Sequence, residues 1–290
     1  MNSPRIFGSE PLALGEGPMW SEREQAFFWF DVPSRQLFRQ GPADRAASRT
    51  PLPRMPGSFG WRRDGGMVMA FRNAIALSPS TDGPFDEIEC GVVDFATERF
   101  NDGAVDCRGR FWVGSFHPRV QPGGGCLYRL DPDLTLHRMA RGMTMSNGMG
   151  WNSDNSIFYA ADSRPGGVWA FDFDPAGGTL DNKRRFIDYA GRPGRPDGLT
   201  VDEEDHIWIA EVGAGRIARY DPDGMLVDAV PLSVSKPTSL TFGGPDYRSL
   251  LVTTMTLDLE DQERAAQPDA GRTFLVRPGA RGRPEAMFAG

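Results

Sequence analysis

Apolar residues in this chain gather in short runs, each closed by glycine, proline, aspartate or asparagine. Ala26–Val32 reads AFFWFDV, Arg110–Ser115 reads RFWVGS and His206–Val212 reads HIWIAEV. Runs this short, rich in aromatic and β-branched residues and bounded by turn formers, predict strands. Third strands follow in VWAFDF (Val168–Phe173) and RIARYD (Arg216–Asp221). Asp-Pro pairs at Asp131-Pro132, Asp174-Pro175 and Asp221-Pro222 open the turns that end such strands. A strand near Arg5–Gly8 is predicted to complete the last sheet and so close an open edge. No long helix is predicted.

These runs belong to a repeat. One phrase recurs as GEGPMWSEREQAFFWFDV from Gly15, GSFGWRRDGGMVMAF from Gly57 and NDGAVDCRGRFWVGS from Asn101. It returns as NGMGWNSDNSIFYAADS from Asn147, DGLTVDEEDHIWIAEV from Asp197 and TSLTFGGPDYRSLLVTTM from Thr238. The copies align on Trp20, Trp61, Val105, Trp151, Val201 and Phe242, which are 41, 44, 46, 50 and 41 residues apart. A period in the forties with several short strands per copy is the spacing of propeller blades. The expected fold is therefore all-β: a six-bladed β-propeller occupying residues 1–290 as one domain, with a metal site at its centre.

In a propeller the first strand of each blade borders the central channel. Four residues before each anchor stand Glu16, Gly57, Asn101, Asn147, Asp197 and Thr238, so these six are expected to ring one end of that channel. Four of them, Glu16, Asn101, Asn147 and Asp197, carry side-chain oxygens of the kind that hold Ca²⁺, Mg²⁺ or Mn²⁺; carboxylates also serve Zn²⁺. A second reading treats Asn-Gly and Asp-Gly as ordinary turn dipeptides at strand entries. The shared register weighs against coincidence.

Bulk properties narrow the partners. The net charge is −7, from 32 basic against 39 acidic residues, and the longest cationic stretch is Lys183–Arg185. Neither nucleic acid nor an anionic membrane surface suits such a chain. Gly 35 and Pro 24 in 290 residues suit many tight turns. The three cysteines, Cys90, Cys107 and Cys126, are widely spaced and lack a Cys-x-x-Cys pair, so reduced thiols and a cytoplasmic setting are expected. No signal-peptide core and no membrane-spanning stretch is read in the sequence.

At Gly15-Glu16-Gly17-Pro18 with Trp20, Arg99-Phe100-Asn101-Asp102-Gly103, Ser146-Asn147-Gly148 and Pro196-Asp197-Gly198, the chain resembles the family of gluconolactonase, regucalcin (senescence marker protein-30) and luciferin-regenerating enzyme. The resemblance runs in order from about Leu14 to Val276. It implies a six-bladed propeller with one divalent metal ion on Glu16, Asn147 and Asp197. It also implies that Asp197 is the acid/base residue, and that Arg99 and Asn101 contact substrate. The implied activity is that of a gluconolactonase-like carboxylic ester hydrolase, opening an aldonolactone such as gluconolactone, xylonolactone, arabinonolactone or galactonolactone. The expected partner is thus a small sugar lactone, and the expected state a monomer or weak homo-oligomer.

Other residues carry two readings each. Asp102 either reaches the metal through water or caps the strand entry by accepting backbone N–H bonds. His117 either touches substrate from a loop over the channel mouth or is a solvated loop residue. In the same region the chain departs from regucalcin, since Arg119 falls where regucalcin has an acidic substrate-binding residue. Gly123–Gly125 is read as a flexible turn because no helix follows it. His137 and His206 are expected to be structural, and Asp202–Asp205 to form a hairpin turn. No Gly-x-Ser-x-Gly elbow and no His-Glu-x-x-His motif is present. The alternatives to a lactonase are a non-catalytic Ca²⁺-binding or ligand-sensing propeller, or a propeller esterase or organophosphatase.

Overall fold

Each apolar run is followed by a tight turn, so successive strands fold back on one another and pair antiparallel. The computed structural model describes residues 2–290, and nearly every regular element in it is a strand. The chain begins with β1 (Asn2–Ile6) and then builds sheets of four. Blade I is β2 (Gly15–Ser21), β3 (Ala26–Asp31), β4 (Gln36–Gln40) and β5 (Ser48–Pro51). Blade II is β6 (Pro56–Trp61), β7 (Met67–Phe71), β8 (Ala74–Ser78) and β9 (Asp86–Ile88). Blade III is β10 (Arg99–Val105), β11 (Phe111–Phe116), β12 (Gly125–Leu130) and β13 (Leu136–Met143). Blade IV is β14 (Ser146–Trp151), β15 (Ile157–Asp162), β16 (Gly167–Asp174) and β17 (Thr179–Asp188). Blade V is β18 (Arg195–Val201), β19 (Ile207–Val212), β20 (Arg216–Tyr220) and β21 (Leu226–Pro231). Blade VI takes β22 (Pro237–Gly243), β23 (Ser249–Thr254) and β24 (Phe274–Arg277), with β1 as its outer strand. The fold is a six-bladed β-propeller.

Burial falls from the middle of each blade outward. The second strands β3, β7, β11, β19 and β23 are buried at every residue, which is why their sequences are mostly apolar. The outer strands β5, β9 and β17 are mostly exposed and read SRTP, DEI and TLDNKRRFID. An edge strand facing water needs no apolar face. The N-terminal strand does complete the last blade, with Arg5 opposite Leu275 and Ile6 opposite Phe274, although it spans Asn2–Ile6 rather than 5–8. The single described helix, α1 (Asp261–Ala266), lies on the surface with no buried residue and starts with a Glu260/Glu263 capping box. No described helix is long and apolar enough to cross a membrane.

The blades separate into two compact units. One contains the chain up to Pro53 together with Gly191–Pro284, hence blades V, VI and I. Its core joins Trp20, Phe27 and Trp29 of blade I to Trp208 of blade V and Phe242, Leu251 and Phe274 of blade VI. The other contains Arg54–Ala190 with Glu285–Gly290, hence blades II, III and IV. Val68, Phe111, Val113 and Tyr128 fill one cluster there, and Trp112, Trp151, Phe158 and Phe173 another. The C-terminal segment belongs to this second unit, where Phe288 N–H donates to Trp61 O at 2.8 Å and Arg62 Nε donates to Gly290 O at 2.8 Å.

Both units contain the same clamp. In blade III, Asp106 accepts from the N–H groups of Arg108 and Arg110 through Oδ1, and from Trp112 Nε1 and Arg110 Nε through Oδ2. In blade V, Asp202 accepts from Glu204 and His206 N–H through Oδ1, and from Trp208 Nε1 and Arg219 through Oδ2. Each fully buried carboxylate thus ties a hairpin turn to a core tryptophan and an arginine. Asp202→Ala leaves the buried indole N–H without its acceptor and the Arg219 guanidinium with Glu204 alone. It is expected to cost about 3–5 kcal/mol, measured as a shift of the urea unfolding midpoint at unchanged slope.

Candidate functional site

The inner strand of every blade carries one extra residue; in five blades it falls at the positions aligned above, and in β2 it follows the paired Glu16, where Gly17 and Pro18 oppose Trp29. In β10, Phe100 pairs with Ser115 and Gly103 with Val113, so Asn101 and Asp102 together oppose Gly114. In β14 the flanking pairs are Ser146–Asp162 and Met149–Ala160, which leaves Asn147 and Gly148 opposite Ala161. In β18 they are Pro196–Glu211 and Leu199–Ile209, which leaves Asp197 and Gly198 opposite Ala210. Gly57 in β6 and Thr238 in β22 are the extra residues of their strands, and in β2 the shift comes just after Glu16. A β-bulge breaks the in-out alternation and re-aims the side chains it carries. Asn147-Gly148 and Asp197-Gly198 therefore lie within strands, and the turn reading of these dipeptides does not hold.

The glycines beside them let neighbouring inner strands meet backbone to backbone. A Cβ on Gly198 would sit 2.2 Å from Ser239 Oγ of the next blade, and one on Gly57 would sit 2.4 Å from Asn101 O. Gly17, immediately after Glu16, has φ +54° and lies against the Phe30 ring.

Within the unit of blades V, VI and I, Asp197 and Glu16 hold the aligned positions of β18 and β2, on either side of β22. Asp197 is 7% exposed, and Glu16 is partly covered. Thr238 of β22 donates from Oγ1 to Gly15 O, and Asp31 Oδ1 accepts from Leu14 N–H at 2.9 Å; both bonds hold the backbone that leads into Glu16. Asp197, buried at a bulge, and Glu16, paired with Phe30 just before one, place two carboxylates on the strands that flank β22. Their chemistry fits a divalent cation, whose charge offsets the cost of removing carboxylates from water.

The unit of blades II, III and IV supplies amides and guanidinium groups. Asn147 is 6% exposed and donates from Nδ2 to Ser163 Oγ at 3.1 Å, which turns Oδ1 the other way as an oxygen donor. Asp162, next to Ser163 in the chain, accepts from Thr144 and Met145 N–H at 3.0 and 2.8 Å and so fixes the entry to β14. Burial pushes the Asp162 carboxyl upward, against these two bonds. Asn101 donates from Nδ2 to Ser146 O at 2.9 Å, and because a carbonyl only accepts, its Oδ1 is likewise directed away. Arg99 opens β10 opposite Phe116 and lays its guanidinium over that ring at 4.0 Å.

Two further residues have local partners. Asp102 Oδ1 accepts from Gly103 N–H at 2.7 Å, the strand-capping role rather than an outward one. His117 sits in the turn after β11, where Nδ1 accepts from Arg119 N–H at 3.0 Å and its carbonyl from Val120 N–H at 2.7 Å. Its ring thus serves its own turn through one nitrogen. Asp202, Glu204 and His206 have ligand atoms within 4.8 Å of one another, but the Asp202 oxygens are already committed to the clamp described above. Sequence reasoning missed Ser163, Ser146 and Phe116, which orient Asn147, Asn101 and Arg99 across strand pairs or between blades. No local pattern signals those contacts.

The comparisons with known proteins agree with this architecture. Residues 14–256 match the family described as the SMP-30/Gluconolactonase/LRE-like region. The 6-deoxy-6-sulfogluconolactonase of Pseudomonas putida is 34% identical over 283 residues, covering 97% of each chain. The pentonolactonase XacC of Haloferax volcanii is 34% identical over 276 residues, covering 94% of this chain and 93% of its own. Among solved structures, the calcium-binding protein regucalcin from Agrobacterium tumefaciens superimposes with a TM-score of 0.92 at 26% identity, covering 99% of this chain and 97% of its own.

Asp102 yields a prediction about pH. Its side chain keeps some surface, yet protein surrounds it closely enough that burial pushes its carboxyl from 3.8 up to about 6, against the Gly103 N–H bond. The folded state therefore holds this proton more tightly than the unfolded chain does. Its stabilising contribution is complete below pH about 4 and is lost as pH rises through about 6. Asp102→Asn keeps the acceptor and removes the charge. Thermal unfolding with chelator present should show that pH dependence flattened, with a gain at pH 7 of at most about 3 kcal/mol.

Proposed function

The chain belongs to the SMP-30/gluconolactonase/LRE-like family, and from that premise we propose that it is a sugar lactonase working with one divalent metal ion. The observation that carries the reading is the buried Asp197 carboxylate, re-aimed by its bulge and matched in the same unit by Glu16. Glu16 and Asp197 would hold the cation, with Asn147 Oδ1, at the equivalent bulge of its own blade, as the third ligand. Oxygen donors of this kind accept Ca²⁺, Zn²⁺, Mg²⁺ or Mn²⁺. When bound, such an ion supplies Lewis acidity toward the lactone carbonyl.

The remaining chemistry belongs to the chain. A lactone is a cyclic ester, so water attack at its carbonyl carbon must shed one proton and the ring oxygen must gain one. Asp197 takes the proton from the attacking water and returns it to the departing ring oxygen, as a general base and then a general acid. Arg99, fixed on Phe116, and Asn101, fixed on Ser146 O, bind substrate oxygens and hold the ring in place. No covalent nucleophile is needed. The three cysteines, none of them bridged, suit a cytoplasmic enzyme.

A second reading, a Ca²⁺-binding propeller without turnover, is favoured by the description of the solved regucalcin as a calcium-binding protein. Base-corrected hydrolysis of gluconolactone, xylonolactone, arabinonolactone and galactonolactone, with and without chelator, separates the two. Chelator-sensitive opening of at least one is expected; none across the set leaves the binding reading. Asp197→Ala should lower kcat by about 10²–10⁴, and full activity in that variant removes Asp197 from its role. Glu16→Ala should weaken cation affinity more than about tenfold, or 1.4 kcal/mol, by calorimetric titration.

A further inference from the structure

Arg72 and Arg99 are drawn together in the unit of blades II–IV, and neither has an acidic partner among the described residues. Arg72 begins the two-residue tip between β7 and β8. Its carbonyl accepts from Phe100 N–H at 2.9 Å, and its own N–H donates to Met55 O at 3.0 Å. The hairpin tip of blade II is thereby sewn to β10 at the residue following Arg99. Arg54, on the same blade, is by contrast neutralised by Glu87. The Arg99 guanidinium lies 4.0 Å over the Phe116 ring, and its Nε is buried with no hydrogen-bond partner among the described residues.

Burial lowers both guanidinium groups, and the Arg72 charge helps bring Arg99 down to about 10, so both stay charged at neutral pH. Holding two like charges in a partly desolvated place costs free energy. Nothing in the core requires it, and an incoming anion would offset it. A neutral sugar hydroxyl needs one donor and one acceptor, whereas two guanidinium groups offer donors alone. Several oxygens on one charged centre suit them better, met bidentately along the guanidinium edge that stacking leaves open. Arg119, exposed in the loop after β11, adds positive charge three residues beyond Phe116 in a chain whose net charge is −7.

We propose that Arg72 and Arg99 form a cradle for an anionic substituent of the substrate, so that the preferred lactone carries a sulfonate, phosphate or carboxylate group. The inference rests on the lactonase reading for the reacting end of the substrate and adds Arg72 as the residue that selects for charge.

The test compares kcat/KM for 6-deoxy-6-sulfogluconolactone, 6-phosphogluconolactone and a glucarolactone with that for gluconolactone. An anionic lactone is expected to be preferred at least about tenfold at low salt, with the preference shrinking in about 0.5 M NaCl. Whichever of the three leads identifies the group. In Arg72→Met the anionic-to-neutral ratio should fall at least about tenfold, through KM for the anionic lactone, and Arg72→Lys should restore part of it. Preference for the neutral lactone in the unmodified protein, or an equal loss for both kinds in Arg72→Met, overturns the cradle. Should Arg72→Met not fold, Arg72→Gln takes its place. Calorimetric titration with 6-phosphogluconate is the second arm. If no lactone of either kind is opened, the lactonase reading falls. The cradle then stands on binding lost in the Arg72 variant and is overturned by binding that is absent or unchanged.

Discussion

The arrangement depends on how closely the inner strands of adjacent blades approach within each unit. Where Gly198 faces Ser239 and Gly57 faces the Asn101 carbonyl, no side chain fits between the backbones. Contact this close leaves no room for a side chain at those positions of the inner strands. The one-residue bulge that each of them carries answers the problem, because it lets the strand keep its ladder on one side while sending a side chain out of the pleat.

The supporting bonds are as specific as the site residues. An amide offers a donor at one end and an acceptor at the other, and only a fixed partner decides which end faces out. Ser163 does this for Asn147 and the Ser146 carbonyl for Asn101. Asp31 and Asp162, each at the end of a second strand, hold the backbone that enters the adjoining first strand. The clamps of Asp106 and Asp202 pin the hairpins at their turns. Rigid blades of this kind keep the site residues in place without ordering costs at the moment of binding.

Much of the fold was legible because burial writes itself into composition. The second strand of a blade is covered on both faces, so AFFWFD and IWIAEV are apolar but for one bonded carboxylate each, and they stand out. The repeat, once aligned, also singled out six inner-strand positions, five of which are bulge residues. The fourth strands were not legible, since SRTP, DEI and TLDNKRRFID face water and carry no apolar signature. Asn-Gly and Asp-Gly remained open to a turn reading because the same glycine permits a turn or a close approach, and only pairing distinguishes the two.

Sequence by itself thus determined the number of blades, the aligned position on each inner strand and the polar residue types gathered there. These follow from a period and from residue types, which are local quantities. Tertiary structure alone decided the orientation of those groups: which end of Asn147 meets Ser163 and which end of Asn101 meets the Ser146 carbonyl. It alone brought Arg72 to Arg99, 27 positions away in the chain, through a hairpin tip bonded to a neighbouring blade. Contacts between blades join residues far apart in sequence, and no local pattern of hydrophobic and polar positions encodes them.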